Sequence, residues 1–194
     1  IEEYHTGYEL NMMSWILNGK VHVLSIADRE KTAVSEKEIP ISSRNVYPSR
    51  LIHYVYEEAR DILQKVADYT NQTSGILSMQ FFWSPGKPVC VGEVAGRFLG
   101  YEHELIEYCS GLAVETLMLD YLYNESSISA CLKQHSPFFH KHNAVLYFHG
   151  RSGMTIYEQS KADALSVLPQ IRDYWAFYKQ GETVIPHGPN PYVC

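Results

Sequence analysis

The sequence has no run of about 18 apolar residues, the least that crosses a bilayer as a helix, so no helical membrane anchor is expected. It also lacks a basic field. Sixteen Lys and Arg stand against 22 Asp and Glu, for a net charge of −6, and no Lys/Arg stripe interleaves with the aromatics. That pattern disfavours a nucleic-acid partner, whose phosphates demand clustered positive charge. Cysteine is scarce, and Cys90, Cys109, Cys131 and Cys194 lie far apart with no CxxC pair, which argues against a disulfide framework and against a zinc knuckle. The first residues show neither the basic nor the apolar region of a secretion signal. A soluble, unexported, cytoplasmic chain with reduced thiols is expected, and no repeat or low-complexity tract interrupts it.

What is present is enough for a real core: 194 residues, 45% of them hydrophobic, with 15 Tyr. The segments Glu9 to Leu17 and Lys20 to Asp28 are β-prone and joined by Asn18-Gly19, a strong hairpin signal. Residues 29 to 49 read as a polar loop ending in Tyr47-Pro48-Ser49 at a helix N-cap. Leu51, Ile52, Val55, Tyr56, Ala59, Ile62, Leu63, Val66 and Ala67 then recur at helical spacing, which predicts a helix of roughly five turns packed on a sheet.

A turn at Asn71 to Gly75 leads into a second hairpin, and a helical region is expected from Glu102 to about Tyr123. Beyond 124 the character changes. A polar, His-containing stretch runs to 142, Ala144 to Phe148 reads as a buried strand, Gln159 to Leu165 as a short helix, and Gln170 to Lys179 as strand-like. The expected division is a lobe over 1–123 and a small α+β subdomain over 124–194. Ile1-Glu-Glu-Tyr4 reads as the end of a strand already under way, and the turn-rich Gly188 to Cys194 as the approach to another. The expectation is a piece of a longer protein.

The second hairpin carries the chemistry. Gln80-Phe-Phe-Trp83 and Val89-Cys-Val-Gly-Glu-Val-Ala-Gly-Arg97 flank a Ser84 to Pro88 loop that brings Gln80 to about the level of Glu93. A period of two puts Val91, Glu93, Ala95 and Arg97 on one face. Glu93 and Arg97 would stand about 13 Å apart on a straight strand, unless the chain bends at Gly96. On spacing alone, a weak exposed Glu–Arg pair on a surface hairpin is the simpler reading.

These residues resemble the ATP-grasp carboxylate–amine ligases, which carry an acid on one strand and, about a dozen residues later, a Glu-x-Asn-x-Arg motif. Here Gln80 and Glu93 are 13 apart, and Glu93-Val-Ala-Gly-Arg97 keeps the Glu and the Arg. Gly100-Tyr-Glu-His103 is similar to the turn that follows in the family. Ile1 to Glu9 is similar to its hinge strand, and the order of elements matches over residues 1 to about 120. The tail, with Ala144 to Phe148, Gly150 to Gly153 and Lys179 to Thr183, resembles the branch with L-amino-acid ligases.

The resemblance implies an α+β fold: an antiparallel sheet with packed helices as a C-terminal lobe, then a small α+β subdomain. It implies ATP and a small carboxylate or amine substrate as partners, together with the rest of the same polypeptide, and it leaves a homodimer open. Glu2, Glu3 and Tyr4 would contact adenine and Glu9 the ribose hydroxyls. Glu93 and Gln80 would hold Mg²⁺, with Mn²⁺ as an alternative, and Arg97 would steer the acceptor carboxylate or acyl-phosphate. Two positions depart from the pattern, since Gln80 replaces a metal carboxylate and Ala95 the metal Asn. The family's glycine-rich loop and phosphate-binding Lys are also not in this sequence, so the piece alone is expected to be inactive.

Three readings stay open: part of an active ligase, a nucleotide-binding relative that has lost catalysis, and a non-enzymatic α/β interaction module. His135, His140, His142 and His149 invite a zinc site, but no Cys or carboxylate joins them at a familiar spacing. Asp28-Arg29 reads either as a substrate-side loop or as a solvated turn. Trp83, Trp175, Tyr174 and Tyr178 read as packing residues.

Overall fold

The computed structural model describes residues 4–32, 40–99, 103–150, 152–156 and 170–185. Its elements run β1 (Tyr8–Leu17), β2 (Lys20–Lys31), β3 (Ser42–Tyr47), α1 (Ile52–Thr70), β4 (Ser74–Trp83), β5 (Cys90–Ala95), α2 (His103–Ser110), α3 (Val114–Tyr123), α4 (Glu125–Gln134) and β6 (Asn143–Leu146). The strands form one sheet in the order β5-β4-β1-β2-β3-β6, with β1 antiparallel to both β2 and β4, and β4 antiparallel to β5. The fold class is α+β, as the sequence led us to expect.

β1 is the central strand, buried on both sides from Glu9 to Leu17. Its alternate residues Leu10, Met12 and Ile16 face α1, and pack with Val55, Ala59 and Leu63 of that helix and with Met79 and Phe81 of β4. Met13, Trp15 and Leu17 face the other way into a second core with Ile106 of α2, Val114 and Leu117 of α3, and Ile128 and Leu132 of α4. A period of two supplies both cores from one strand.

The β1–β2 hairpin turns at Asn18 (φ 52°) and Gly19 (φ 73°), the left-handed pair that Asn-Gly supplies at little steric cost. Gln64 of α1 secures this turn, donating from Nε2 to the Gly19 carbonyl at 2.7 Å and accepting the Val21 N–H at 3.0 Å. The ladder shifts register between Met13 and Ser14: Met13 opposes Ser25 and Ser14 opposes Val23, leaving Leu24 as a one-residue bulge. β4–β5 holds a second shift, with Gln80 opposite Glu93 and Phe81 opposite Val91, so Gly92 is the extra residue.

The helix α1 falls where its apolar stripe places it. Leu51 is its N-cap and makes no side-chain capping bond; Ser49 instead orders the turn before it, accepting the Leu51 N–H on Oγ at 3.0 Å, and Asn71 ends the helix in a left-handed conformation.

Other expectations change. The polar loop over 29–49 is shorter than its composition suggests, because β2 continues to Lys31 and β3 begins at Ser42. The helical region before Tyr123 is two helices, broken at Gly111 (φ 81°), and the polar stretch after 124 opens with α4, whose Ile128 and Leu132 are core. β6 is a four-residue strand at the sheet edge rather than a buried one, with Leu146 and Phe148 more than half exposed. Residues 170–179 form no strand, and Trp175 is exposed, its Nε1–H donating to Asp173. The expected Gln159 to Leu165 helix lies outside the described residues.

Contacts gather the chain into two compact units, Ile1–Glu30 with Arg44–Val145, and Lys31–Ser43 with Leu146–Cys194. Within the first of these units, α4 shares the second core with β1. In the smaller unit, Thr155 bridges Thr183, flanked by backbone bonds between Met154 and Val184 and between Ile156 and Glu182.

Candidate functional site

The face of the sheet that carries Met13, Trp15 and Leu17 turns polar toward the start of β1, where Glu9 and Asn11 take the same alternate positions. Both are more than nine-tenths buried. Asn11 opposes Gln80, and Gln80 opposes Glu93, so three polar side chains form a row across β1, β4 and β5. The expectation that the second hairpin levels Gln80 with Glu93 is met by this register.

Glu9 is the hub. Its Oε1 accepts from Gln80 Nε2 at 2.6 Å and from the guanidinium of Arg29, reached from β2. Since an ionised carboxylate only accepts, the amide nitrogen of Gln80 must face it. Arg29 is 30% exposed and has no other polar partner among the described residues. Asn11 Oδ1 is buried without a hydrogen-bond partner among the described residues. Leaving such an acceptor unmet costs about 1–3 kcal/mol, which fits a binding face better than a core.

Glu93 and Arg97 meet rather than bracket a ligand. The strand ends at Ala95, the chain turns through Gly96, and Arg97 Nη2 approaches Glu93 Oε1 to 3.1 Å. Both side chains are more than half exposed, so this is a surface pair worth at most about 1 kcal/mol. The bulge at Gly92 moves Val91 into register with Phe81, and hence to the face opposite Glu93. A Cβ at 92 would press on Phe82 at 3.2 Å and on the Gln80 carbonyl at 3.3 Å.

Tyr4 is largely exposed, whereas Glu2, Glu3 and the Gly100 to Glu102 turn lie outside the described residues. Just after Tyr4, His5 stacks on Phe82 with ring centroids 5.2 Å apart, and its Nδ1 accepts the Gly7 N–H at 2.9 Å. The start of the chain is thereby pinned over the β4 residue opposite Glu9.

Asp28-Arg29 is not a solvated turn. Asp28 is buried on the α1 face, accepting from Ser49 Oγ and from the Arg50 backbone N–H at 3.4 Å. Beside it a basin of about 380 Å³ is lined by Glu30, Arg44, Pro48 and Asn143 among others, and its charges pair internally as Arg44–Glu30 and Arg50–Asp28.

The donors do not suit a divalent cation. Mg²⁺ requires near-octahedral oxygen ligands and is usually held by one or two carboxylates besides phosphate. Position 80 is a neutral amide whose nitrogen goes to Glu9, Ala95 offers no oxygen, and Glu93, the carboxylate opposite Gln80, is paired at the surface with Arg97. No three His, Cys, Asp or Glu side chains among the described residues converge as a metal site requires. The histidines follow suit: His135 donates from Nε2 to the Leu24 carbonyl at 2.7 Å, and burial lowers its pKa.

Sequence reasoning missed Asn11 and the bond from Arg29 to Glu9. Both stand on the hairpin whose turn was legible, and counting outward from Asn18-Gly19 places them, once the bulge at Leu24 is allowed for.

No protein-family model matches the sequence, and no curated protein matches it. Solved structures do. An L-amino acid ligase from Bacillus licheniformis matches with TM-score 0.75 at 16% identity, covering 98% of this chain and 49% of that one. A phosphoribosylglycinamide synthetase from Anaerococcus prevotii matches with TM-score 0.63 at 14% identity, covering 98% and 48%. A biotin carboxylase domain of a single-chain bacterial carboxylase gives 0.56 at 15% identity, covering 81% and 36%. The chain has the fold of the ATP-grasp ligases and spans about half the length of the first two of these structures.

Proposed function

From this likeness of fold we propose that the chain forms the nucleotide-holding lobe of an ATP-dependent carboxylate–amine ligase. The observation that carries the reading is the row of Asn11, Gln80 and Glu93 with Glu9 beside it, of which Glu9, Gln80 and Glu93 stand where the sequence resembles the family's nucleotide site. Glu9, held by Arg29 and Gln80, is a fixed carboxylate for the ribose hydroxyls, and Asn11 Oδ1 is an acceptor that a ligand hydroxyl satisfies. The arrangement is preorganised, because the partners that orient Glu9 come from two neighbouring strands and need not be recruited on binding.

In this reading a substrate carboxylate oxygen attacks the γ-phosphorus and ADP leaves. The amine then attacks the acyl carbon of the mixed anhydride and phosphate leaves, with the amine proton passing to solvent or a base. Arg97 turns from Glu93 to the acceptor carboxylate or the acyl-phosphate, where its planar fork contacts two oxygens.

A second reading, nucleotide binding without ligase turnover, is favoured by one observation: Gln80, turned by its nitrogen to Glu9, is neutral where the resembled pattern has a carboxylate, and Ala95 gives no oxygen. Full-length protein incubated with ATP and a panel of amino acids separates the two. Phosphate release that depends on an amino acid is the expected result. Nucleotide binding with no release for any acceptor would sink the ligase reading and leave the second.

A further inference from the structure

The residues that fail to suit a metal carry positive charge of their own. Across four adjacent strands the side chains run Arg29, Glu9, Gln80, Glu93, with Arg97 closing the line against Glu93. Two guanidiniums balance two carboxylates before anything binds. A carboxylate at position 80 would leave the line one charge short, and a bound cation would make it good. Glutamine there removes the deficit and donates to Glu9 instead.

We propose that this site takes the phosphates of its nucleotide without a divalent metal, with the Arg29 guanidinium supplying the counter-charge; the proposal rests on the nucleotide reading above. A guanidinium carries five N–H donors in a planar fork that matches phosphate oxygens in pairs. One nitrogen of Arg29 is committed to Glu9, and the group has no other polar partner among the described residues and is 30% exposed. The buried Glu9 carboxylate fixes the guanidinium in place, so little side-chain entropy is lost when an anion arrives. Arg29 touches the carboxylate assigned to the ribose hydroxyls, and the phosphates hang from the 5′ oxygen of that same sugar, so the free edge of the guanidinium is left to meet them. The line spans three interstrand spacings, about 14 Å, and ends in a second guanidinium at Arg97.

Calorimetric titration of full-length protein with ATP, once in Mg²⁺ and once in EDTA, tests this. The expected dissociation constants agree within about threefold. Arg29→Gln is expected to weaken binding in EDTA at least tenfold, Arg29→Lys to recover part of that loss, and Arg44→Gln, a control on the opposite face, to leave it unchanged. A Gln80→Glu/Ala95→Asn variant regains the oxygen donors and is expected to bind at least tenfold tighter in Mg²⁺ than in EDTA. Should Arg29→Gln fail to fold, this variant and Arg29→Lys still decide the matter. Wild-type binding that collapses in EDTA overturns the proposal and spares the nucleotide reading. Absence of binding in both conditions overturns both.

Discussion

Gly7 stands at the tightest approach among the described glycines. A Cβ there would lie 2.4 Å from the Trp83 carbonyl oxygen and 2.6 Å from the His5 ring, and backbone cannot yield as a side-chain tip can. Gly7→Ala is therefore expected to cost about 1–3 kcal/mol, the range of overpacking, read as a lowered urea midpoint at unchanged slope. An unchanged midpoint would show that the approach imposes no constraint. Single residues also mark what could be read from the sequence. Glu9, Gln80 and Glu93 could be singled out because each stands at a motif position, and a motif is a local object; that Gln80 opposes Glu93 and donates to Glu9 is what the register adds. The partnership of Glu9 with Arg29 was not legible, since it joins residues 20 apart and depends on strand register. Asn11 carried no signal at all: one amide in an apolar strand looks like noise until Gln80 is found across from it.

Among the elements, α4 shows why polar composition misleads. Its one turn of core contact, Ile128 and Leu132, suffices to seat it, and the chain after it is tied down by His135. A bulged residue has its carbonyl out of step with the ladder, and His135 Nε2–H meets that of Leu24. Burial holds this imidazole below its usual 6.5, and the bond to the carbonyl offsets only part of the effect. As pH falls through about 6.5 the unfolded chain takes up a proton that the folded chain resists, so stability is complete above that pH and is lost toward the lower folded value. Unfolding free energies measured from about pH 7.5 down to about pH 5 should fall, and fall less steeply in His135→Gln. Equal slopes would refute the assignment. Some slope is expected to remain in the variant, because burial also lowers His22 and His149. The elements with regular periods were the most legible: α1 falls on its apolar stripe and the β1–β2 hairpin turns at Asn18-Gly19, although β2 runs past its expected end to Lys31. Those interrupted by a single glycine were less legible: Gly111 divides one expected helix into α2 and α3, and Gly92 turns Val91 to the other face.

For the molecule as a whole, the two compact units should answer a ligand differently. A nucleotide at a hundred times its dissociation constant stabilises what it binds by about 2.7 kcal/mol. Hydrogen exchange should then slow in β1, β4 and β5, with little change over 152–156 and 170–185, and equal protection in both units would argue against a site confined to the first. Fold was more legible than function here because the order of elements is read along the whole chain, whereas a site rests on a few residues and on the register that brings them together. The Leu24 bulge ties these scales together. Counted from the Asn18-Gly19 turn in an unbroken ladder, Glu9 would face Asp28, acid against acid. One extra residue, buried and apolar, advances the far strand by a step, so Asp28 turns to the helix face and Arg29 arrives beside Glu9. The electrical sign of the site is thus written in leucine: a residue with no charge decides which charge its neighbours present, and a scan for ionisable groups would pass over it.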